Sequence, residues 1–149
     1  MEKSLIKIYL ELCHPSAKAP CYAREGDAGM DICAVEDQLV SAGSTVVLRT
    51  GLKAAIPKGY ELQIRPRSGL SLKTGLRLPN SPGTIDSGYR DEIGVIIHNT
   101  SPDKDYWINK GDRIAQMVLK RVPQVKWEIV DAISEIGENR GGGFGSSGR

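Results

Sequence analysis

Aromatic side chains are scarce in this chain: one Phe, two Trp and five Tyr among 149 residues. A core of any size must therefore be built from aliphatic side chains. Cysteines are few and unpatterned. Cys13, Cys21 and Cys33 are odd in number and include no CxxC pair. That argues against a disulfide frame or a cysteine metal cluster, fits a reducing cytosol, and leaves all three to be read as packing residues. No apolar run approaches the roughly 20 residues of a membrane span, so no membrane role is expected. Met1 to Ser4 lead straight into an alternating pattern, without the apolar segment of a signal peptide. Nor is there a block of one charge. The 20 basic and 18 acidic residues are dispersed, with a net charge of +2. Nucleic acid is thus not the expected partner, although a local arginine cluster on phosphates stays open.

What the chain does have is turns. With 17 glycines and 8 prolines, turn signals recur about every eight to twelve residues, the mark of an all-β sandwich or barrel. Ile6, Ile8 and Leu10 alternate with Lys7, Tyr9 and Glu11, and Tyr60, Leu62 and Ile64 with Glu61, Gln63 and Arg65, both as half-buried strands. Further strands are predicted at 30–35, 39–40, 45–50, 52–56, 105–108, 113–120 and 125–130. Only Ser68 to Lys73 reads as helical, with Pro66 before it, Ser68 as its cap and Gly75 as its stop. The spacing of a βαβ fold is absent.

Chemistry is concentrated in a few places. Gly83 to Asn99 reads as two strands joined through Ser87-Gly88, a hairpin with Asp86 and Tyr89 at its bend. A carboxylate beside a flat ring suits a small-molecule site. Arg65-Pro66-Arg67-Ser68-Gly69 places two arginines and a hydroxyl at the start of a short helix, a setting that suits an anion; an ordinary helix start with solvated arginines is an equal alternative. Asp31, after Gly29-Met30, is either turn chemistry or a ligand for a hydrated Mg²⁺. Gln116 is either a ligand contact or an amide satisfied by backbone. His14 and His98 lack ligand spacing and read as structural. The stretch Arg140-Gly-Gly-Gly-Phe144 and the Gly/Ser residues after it is either a flexible end or a nucleotide lid.

Five segments in order, GDAGMDICA (26–34), RPRSGLSLK (65–73), NSPGTIDSGYRDEIGVIIHN (80–99), GDRIAQMVL (111–119) and RGGGFGSSG (140–148), resemble the motifs of the trimeric dUTP diphosphatases, the dUTPases. The resemblance covers nearly the whole chain. It implies a jelly-roll-like, β-clip subunit, residues 1–136, with a C-terminal arm, 137–149, exchanged within a homotrimer and closing over a neighbour's active site. It also implies hydrolysis of dUTP to dUMP and pyrophosphate with Mg²⁺, keeping uracil out of DNA and supplying dUMP for dTMP synthesis.

Residue by residue, the resemblance makes Asp86 the base that activates water and Tyr89 the ring under the deoxyribose. Asn80, Thr84, Ile85 and Gly94 would frame the uracil. Arg67, Ser68, Gly69 and Gln116 would hold phosphates, and Asp31 would reach Mg²⁺ through water. Arg140 would clamp the γ-phosphate, Phe144 would stack on uracil, and Gly145, Ser146 and Ser147 would line the phosphates. The chain departs from the family at Asp91, where glycine is common, and in having one residue fewer between Arg140 and Phe144. A dCTP deaminase, which shares the fold, needs a glutamate near Ile96, and Val95-Ile96-Ile97 offer no acid. A nucleotide-sensing regulator that has lost catalysis is the alternative of a different class.

Overall fold

A computed structural model describes residues 5–144 and 148. Among them, eleven strands form four antiparallel sheets around an aliphatic core. The strands are β1 (Tyr9–Leu12), β2 (Gly29–Cys33), β3 (Gln38–Val40), β4 (Thr45–Arg49), β5 (Leu52–Ala55), β6 (Tyr60–Arg65), β7 (Leu76–Arg77), β8 (Gly83–Ile85), β9 (Gly94–Asn99), β10 (Tyr106–Ile108) and β11 (Arg113–Arg121). The largest sheet has the order β2-β11-β6-β8; a second has the order β4-β9-β7; β1-β5 and β3-β10 are two-stranded. The all-β expectation holds. No described helix is long and apolar enough to cross a membrane.

The core bears out the shortage of rings. Its fully buried side chains are aliphatic, among them Ile32, Leu48, Leu52, Ile93, Val95, Ile97 and Ile114. In β6 the alternation puts Leu62 and Ile64 inside and leaves Glu61, Gln63 and Arg65 half-exposed. Two buried polar side chains are hydrogen-bonded, as low-dielectric burial requires. Thr50 Oγ1 donates to the Ile93 carbonyl at 2.5 Å. Asn99 Nδ2 donates to the carbonyls of Val40 and Lys104 at 3.0 and 2.8 Å.

Several local expectations are corrected. Gly83 to Asn99 is not a hairpin. β8 pairs with β6, whereas β9 pairs with β4 and β7, so residues 86–93 cross from one sheet to the other. The turn is real, because the Tyr89 amide donates to the Asp86 carbonyl at 3.1 Å. A turn sets the local reversal; the core decides which strand each arm meets. No strand forms at 125–130. Its alternating apolar residues join no sheet of their own chain, and Val125, Trp127 and Ile129 are exposed.

The single described α-helix, α1, occupies Ser68–Lys73 as predicted, but Ser68 is not its cap. Arg67 holds the cap position with no side-chain cap bond, and the helix ends at Thr74, whose Oγ1 donates to the Leu70 carbonyl at 2.7 Å. Cys21 is exposed rather than packed, while Cys13 and Cys33 are half-buried. Both histidines take bonds expected of structural residues: His14 Nδ1 accepts from the nearby Ser16 amide, and His98 Nδ1 pairs with Thr45 Oγ1 across β9 and β4.

Candidate active site

β11 is hydrogen-bonded on both edges, to β2 and to β6, and the register puts Asp31, Gln116 and Arg65 opposite one another across three strands. Residues far apart in sequence thus share one band of the sheet. Pro66, which follows Arg65, cannot continue the ladder, and the chain passes through Arg67 into α1. That step returns Arg67 over the band. Its Nε lies 2.9 Å from Asp31 Oδ1, an ion pair between half-buried groups. Arg113, beside a register shift between Arg113 and Ala115, puts Nη1 3.4 Å from Asp31 Oδ2.

Gln116 closes the cluster from the middle strand. Its Nε2 donates to the Pro66 carbonyl at 2.9 Å, holding the β6–α1 connection. Its Oε1 lies over Gly29, so close that a Cβ on Gly29 would collide with it. Gly29 is needed here for close approach, not for its backbone dihedrals. The sequence left Gln116 between a ligand contact and a backbone-satisfied amide; its bond to Pro66 is of the second kind.

The second group sits on the crossing between the sheets. Gly83, Thr84 and Ile85 form β8 on the outer edge of the large sheet, and Asp86 follows at once. Asp86 is exposed, and its carboxylate accepts no hydrogen bond from the described residues. Tyr89 is fixed by its hydroxyl, which donates to the Glu92 carbonyl at 2.8 Å, and its ring is 39% exposed. Asn80 folds back on the start of β8, where a Cβ on Gly83 would lie 3.3 Å from Asn80 Nδ2. Gly94 begins β9 in the other sheet, opposite Arg49, with no room for a Cβ, which would come within 2.6 Å of Val47 Cγ1.

The two groups do not meet within the chain. β8 runs antiparallel to β6 with Leu62 opposite Ile85 and Ile64 opposite Gly83. Asp86 therefore lies at the Glu61 end of β6, whereas Arg67 lies over the Arg65 end, roughly 13 Å away along the strand at ~3.3 Å per residue. Ser68 and Gly69, exposed at the start of α1, go with Arg67. Arg140 and Phe144 are exposed, and neither makes a hydrogen bond or ion pair to either group among the described residues. Gly145, Ser146 and Ser147 lie outside the described residues.

Sequence reasoning missed Arg113, Arg49 and Glu92. Arg113 sat in a recognised segment but read only as the start of a strand. The others are joined across 43 residues, Arg49 Nε and Nη2 lying 3.1 and 2.9 Å from the two Glu92 oxygens. Hydrogen bonding from Arg49 is the main cause that holds the Glu92 carboxyl below its ordinary value, against partial burial, which acts the other way.

A family model described as dUTPase matches residues 15–148. The chain belongs to the dUTPase family. The deoxyuridine 5'-triphosphate nucleotidohydrolase of Clostridium tetani is 45% identical over 140 residues, 94% of this chain and 95% of that one. Its counterpart from Picosynechococcus is 49% identical over 135 residues, 91% and 94% of the two chains. Among solved structures, a mutant dUTPase of Staphylococcus bacteriophage 80alpha with dUpNHpp superposes with a TM-score of 0.86 at 27% identity, covering 96% of this chain and 99% of that one. A mutant dUTPase from phage phi11 of S. aureus, in which a structural Mg(II) ion is coordinated, gives a TM-score of 0.80 at 26% identity over 85% and 98%.

Proposed function

We propose that this dUTPase-family chain hydrolyses dUTP to dUMP and pyrophosphate, with Asp86 deprotonating the water that attacks the α-phosphorus. The observation that carries the reading is the pairing on one short crossing of an unpartnered carboxylate with a ring locked by its own hydroxyl. A free carboxylate can take a proton from water, and placement of such a base contributes ~10²–10⁴-fold. The Tyr89 ring is the floor for deoxyribose, where a 2′-hydroxyl would meet a flat apolar face. Asn80, Thr84, Ile85 and Gly94 frame the uracil through backbone groups and the lack of side-chain room.

Arg67 supplies forked, charge-assisted donors to the triphosphate, with Ser68 and Gly69 beside it and Gln116 holding the connection that positions them. Arg67 must exchange Asp31 for phosphate as substrate arrives. No three potential metal ligands of the His, Cys, Asp or Glu type cluster among the described residues. A single carboxylate suits a hydrated Mg²⁺, so Asp31 is the residue that would hold the ion through water, and the ion would supply neutralisation of phosphate charge.

The separation of Asp86 from Arg67 along β6 supports a reading in which one chain supplies both halves, each to a different site. A homotrimer with shared sites supports both observations at once. The arm from residue 137 onward, with Arg140, Phe144, Gly145, Ser146 and Ser147, closes over a neighbour's site, and residues 122–136 bury Val125, Trp127, Ile129 and Ile133 on that neighbour. Free thiols at three positions fit a cytosolic enzyme.

The test is pyrophosphate release from dUTP, UTP, dTTP and dCTP by the native chain and by Asp86→Asn. Turnover of dUTP alone, lost in the variant, is the expected result. Equal turnover of UTP sinks the role of the Tyr89 ring, and an active Asp86→Asn sinks the base.

A further inference from the structure

The crossing that carries Asp86 and Tyr89 belongs to no sheet along its length, so something other than ladder bonds must fix it. Within the crossing the bonds are local: Tyr89 N–H to the Asp86 carbonyl at 3.1 Å, and Arg90 Nη1 to the carbonyls of Ser87 and Tyr89 at 2.7 and 2.9 Å. Such bonds shape a loop without placing it. Attachment to the rest of the molecule comes at its end. The Ile93 amide donates to the Leu52 carbonyl at 2.8 Å, and the Ile93 carbonyl accepts from Thr50 Oγ1.

Glu92, the residue just before, is tied in two directions. Its carboxylate takes both Arg49 donors, at 3.1 and 2.9 Å, and the Cys13 thiol at 3.4 Å. Its carbonyl takes the Tyr89 hydroxyl. Arg49 is the last residue of β4, in register with Gly94, and is itself within 3.9 Å of Glu36. The Glu92 side chain is 22% exposed and that of Arg49 45%, so water screens the pair and its hold rests on the two-bonded fork rather than on burial.

We infer that Arg49 and Glu92 are positioning residues for the nucleoside half of the site, clamping the crossing to β4 so that the Tyr89 ring and the Asp86 carboxylate keep their places. The inference rests on the dUTP reading. Neither residue touches nucleotide; Glu92 acts through the bond from the Tyr89 hydroxyl and through the backbone that leads to Asp86. Cys13, whose thiol is pushed up by burial and then by Glu92, adds a third and weaker tie.

The experiment uses Glu92→Gln, Arg49→Met, the double variant and Arg49→Lys in the full chain. A misplaced floor for the sugar is expected to raise KM for dUTP roughly tenfold and to narrow the preference for dUTP over UTP by a similar factor, since small displacements are costly at a preorganised site. The double variant is expected to stay within about twofold of either single one, because both remove the same pair. Arg49→Lys, which keeps charge without the fork, is expected to fall between.

Hydrogen exchange of nucleotide-free protein supplies a readout independent of turnover: amides of residues 86–91 exchange faster in Glu92→Gln and Arg49→Met, with the β2, β6 and β11 amides unchanged. Variants that keep both nucleotide preference and exchange at native levels overturn the clamp, as do additive losses in the double variant. Where Glu92→Gln or Arg49→Met does not fold, Arg49→Lys decides by the same readouts. A native chain that hydrolyses UTP and dUTP equally overturns the dUTP reading, and exchange alone then decides the clamp.

Discussion

The strand ladder β2-β11-β6 and the crossing from Asp86 to Ile93 carry different halves of the proposed chemistry on different kinds of support. In the ladder, Asp31, Gln116 and Arg65 occupy fixed register positions in a sheet backed by Ile32, Ile64, Ala115 and Met117. Their places follow from backbone pairing that no single side chain controls. On the crossing, Asp86 and Tyr89 are placed by a turn, one hydroxyl bond and the tie at Glu92. A charge cluster that must attract and release a triphosphate gains from a rigid frame. A base and a ring that must meet one nucleoside sit where a few bonds tune them. The first half should tolerate lost side-chain contacts and resist changes of backbone spacing; the second should behave the other way.

The largest expected effect is on the crossing. Asp86→Asn lowers kcat by ~10²–10⁴-fold with little change in KM, because the base acts on water rather than on substrate binding. Removal of residues 140–149 comes next, with kcat/KM falling about 100-fold and an unchanged far-ultraviolet dichroism spectrum, as the proposed closure of the site by the arm requires. Arg67→Met, in the ladder half, raises KM for dUTP about 10- to 100-fold, the measure of one or two charge-assisted bonds, and leaves thermal stability near native.

The reverse pattern is expected at Gly29→Ala. Its new Cβ displaces the Gln116 amide and with it the bond to the Pro66 carbonyl, and chemical denaturation should show a loss of about 1 kcal/mol. The smallest effect is a slope. Glu92 has a lower pKa in the folded chain than when unfolded, with Arg49 as the first cause. The unfolded state therefore takes up a proton first as pH falls. Stability from this group is complete above the ordinary glutamate value and fades through the lowered folded one. Glu92→Gln should flatten the decline of urea stability with acid by a small amount while leaving the neutral-to-alkaline side unaltered.

The strand at 60–65 was legible because period-two alternation records which face is buried, and burial is what the structure confirms at Leu62 and Ile64. The strand at 113–120 was legible only from its turn-bounded apolar run, since β11 buries Ile114, Ala115, Met117 and Val118 without alternation. Alternation failed at 125–130 for an instructive reason. Val125, Trp127 and Ile129 carry the pattern of a strand, but the pattern states a need for a partner without saying that the partner belongs to the same chain. The error at 83–99 is similar. Ser87-Gly88 mark a turn, yet nothing local tells Gly83–Ile85 to pair with β6 and Gly94–Asn99 with β4 and β7. In the site, residues lying inside recognisable segments were found; the side-chain partners of those residues were not. Arg113 reaches Asp31 across 82 residues and Arg49 reaches Glu92 across 43, separations to which local pattern is blind.

The placement of Asp86 and Arg67 at opposite ends of β6 also has a genetic meaning. On the shared-site reading, a chain lacking the base and a chain lacking the phosphate grip are each impaired alone, yet their defects do not coincide. Coexpressed, Asp86→Asn and Arg67→Met subunits assemble some sites from the intact part of each, and turnover at low dUTP rises above that of either parent. Two alleles of one gene would then complement each other, because the paired strands β6 and β8 lead to the two functions at opposite ends of their ladder.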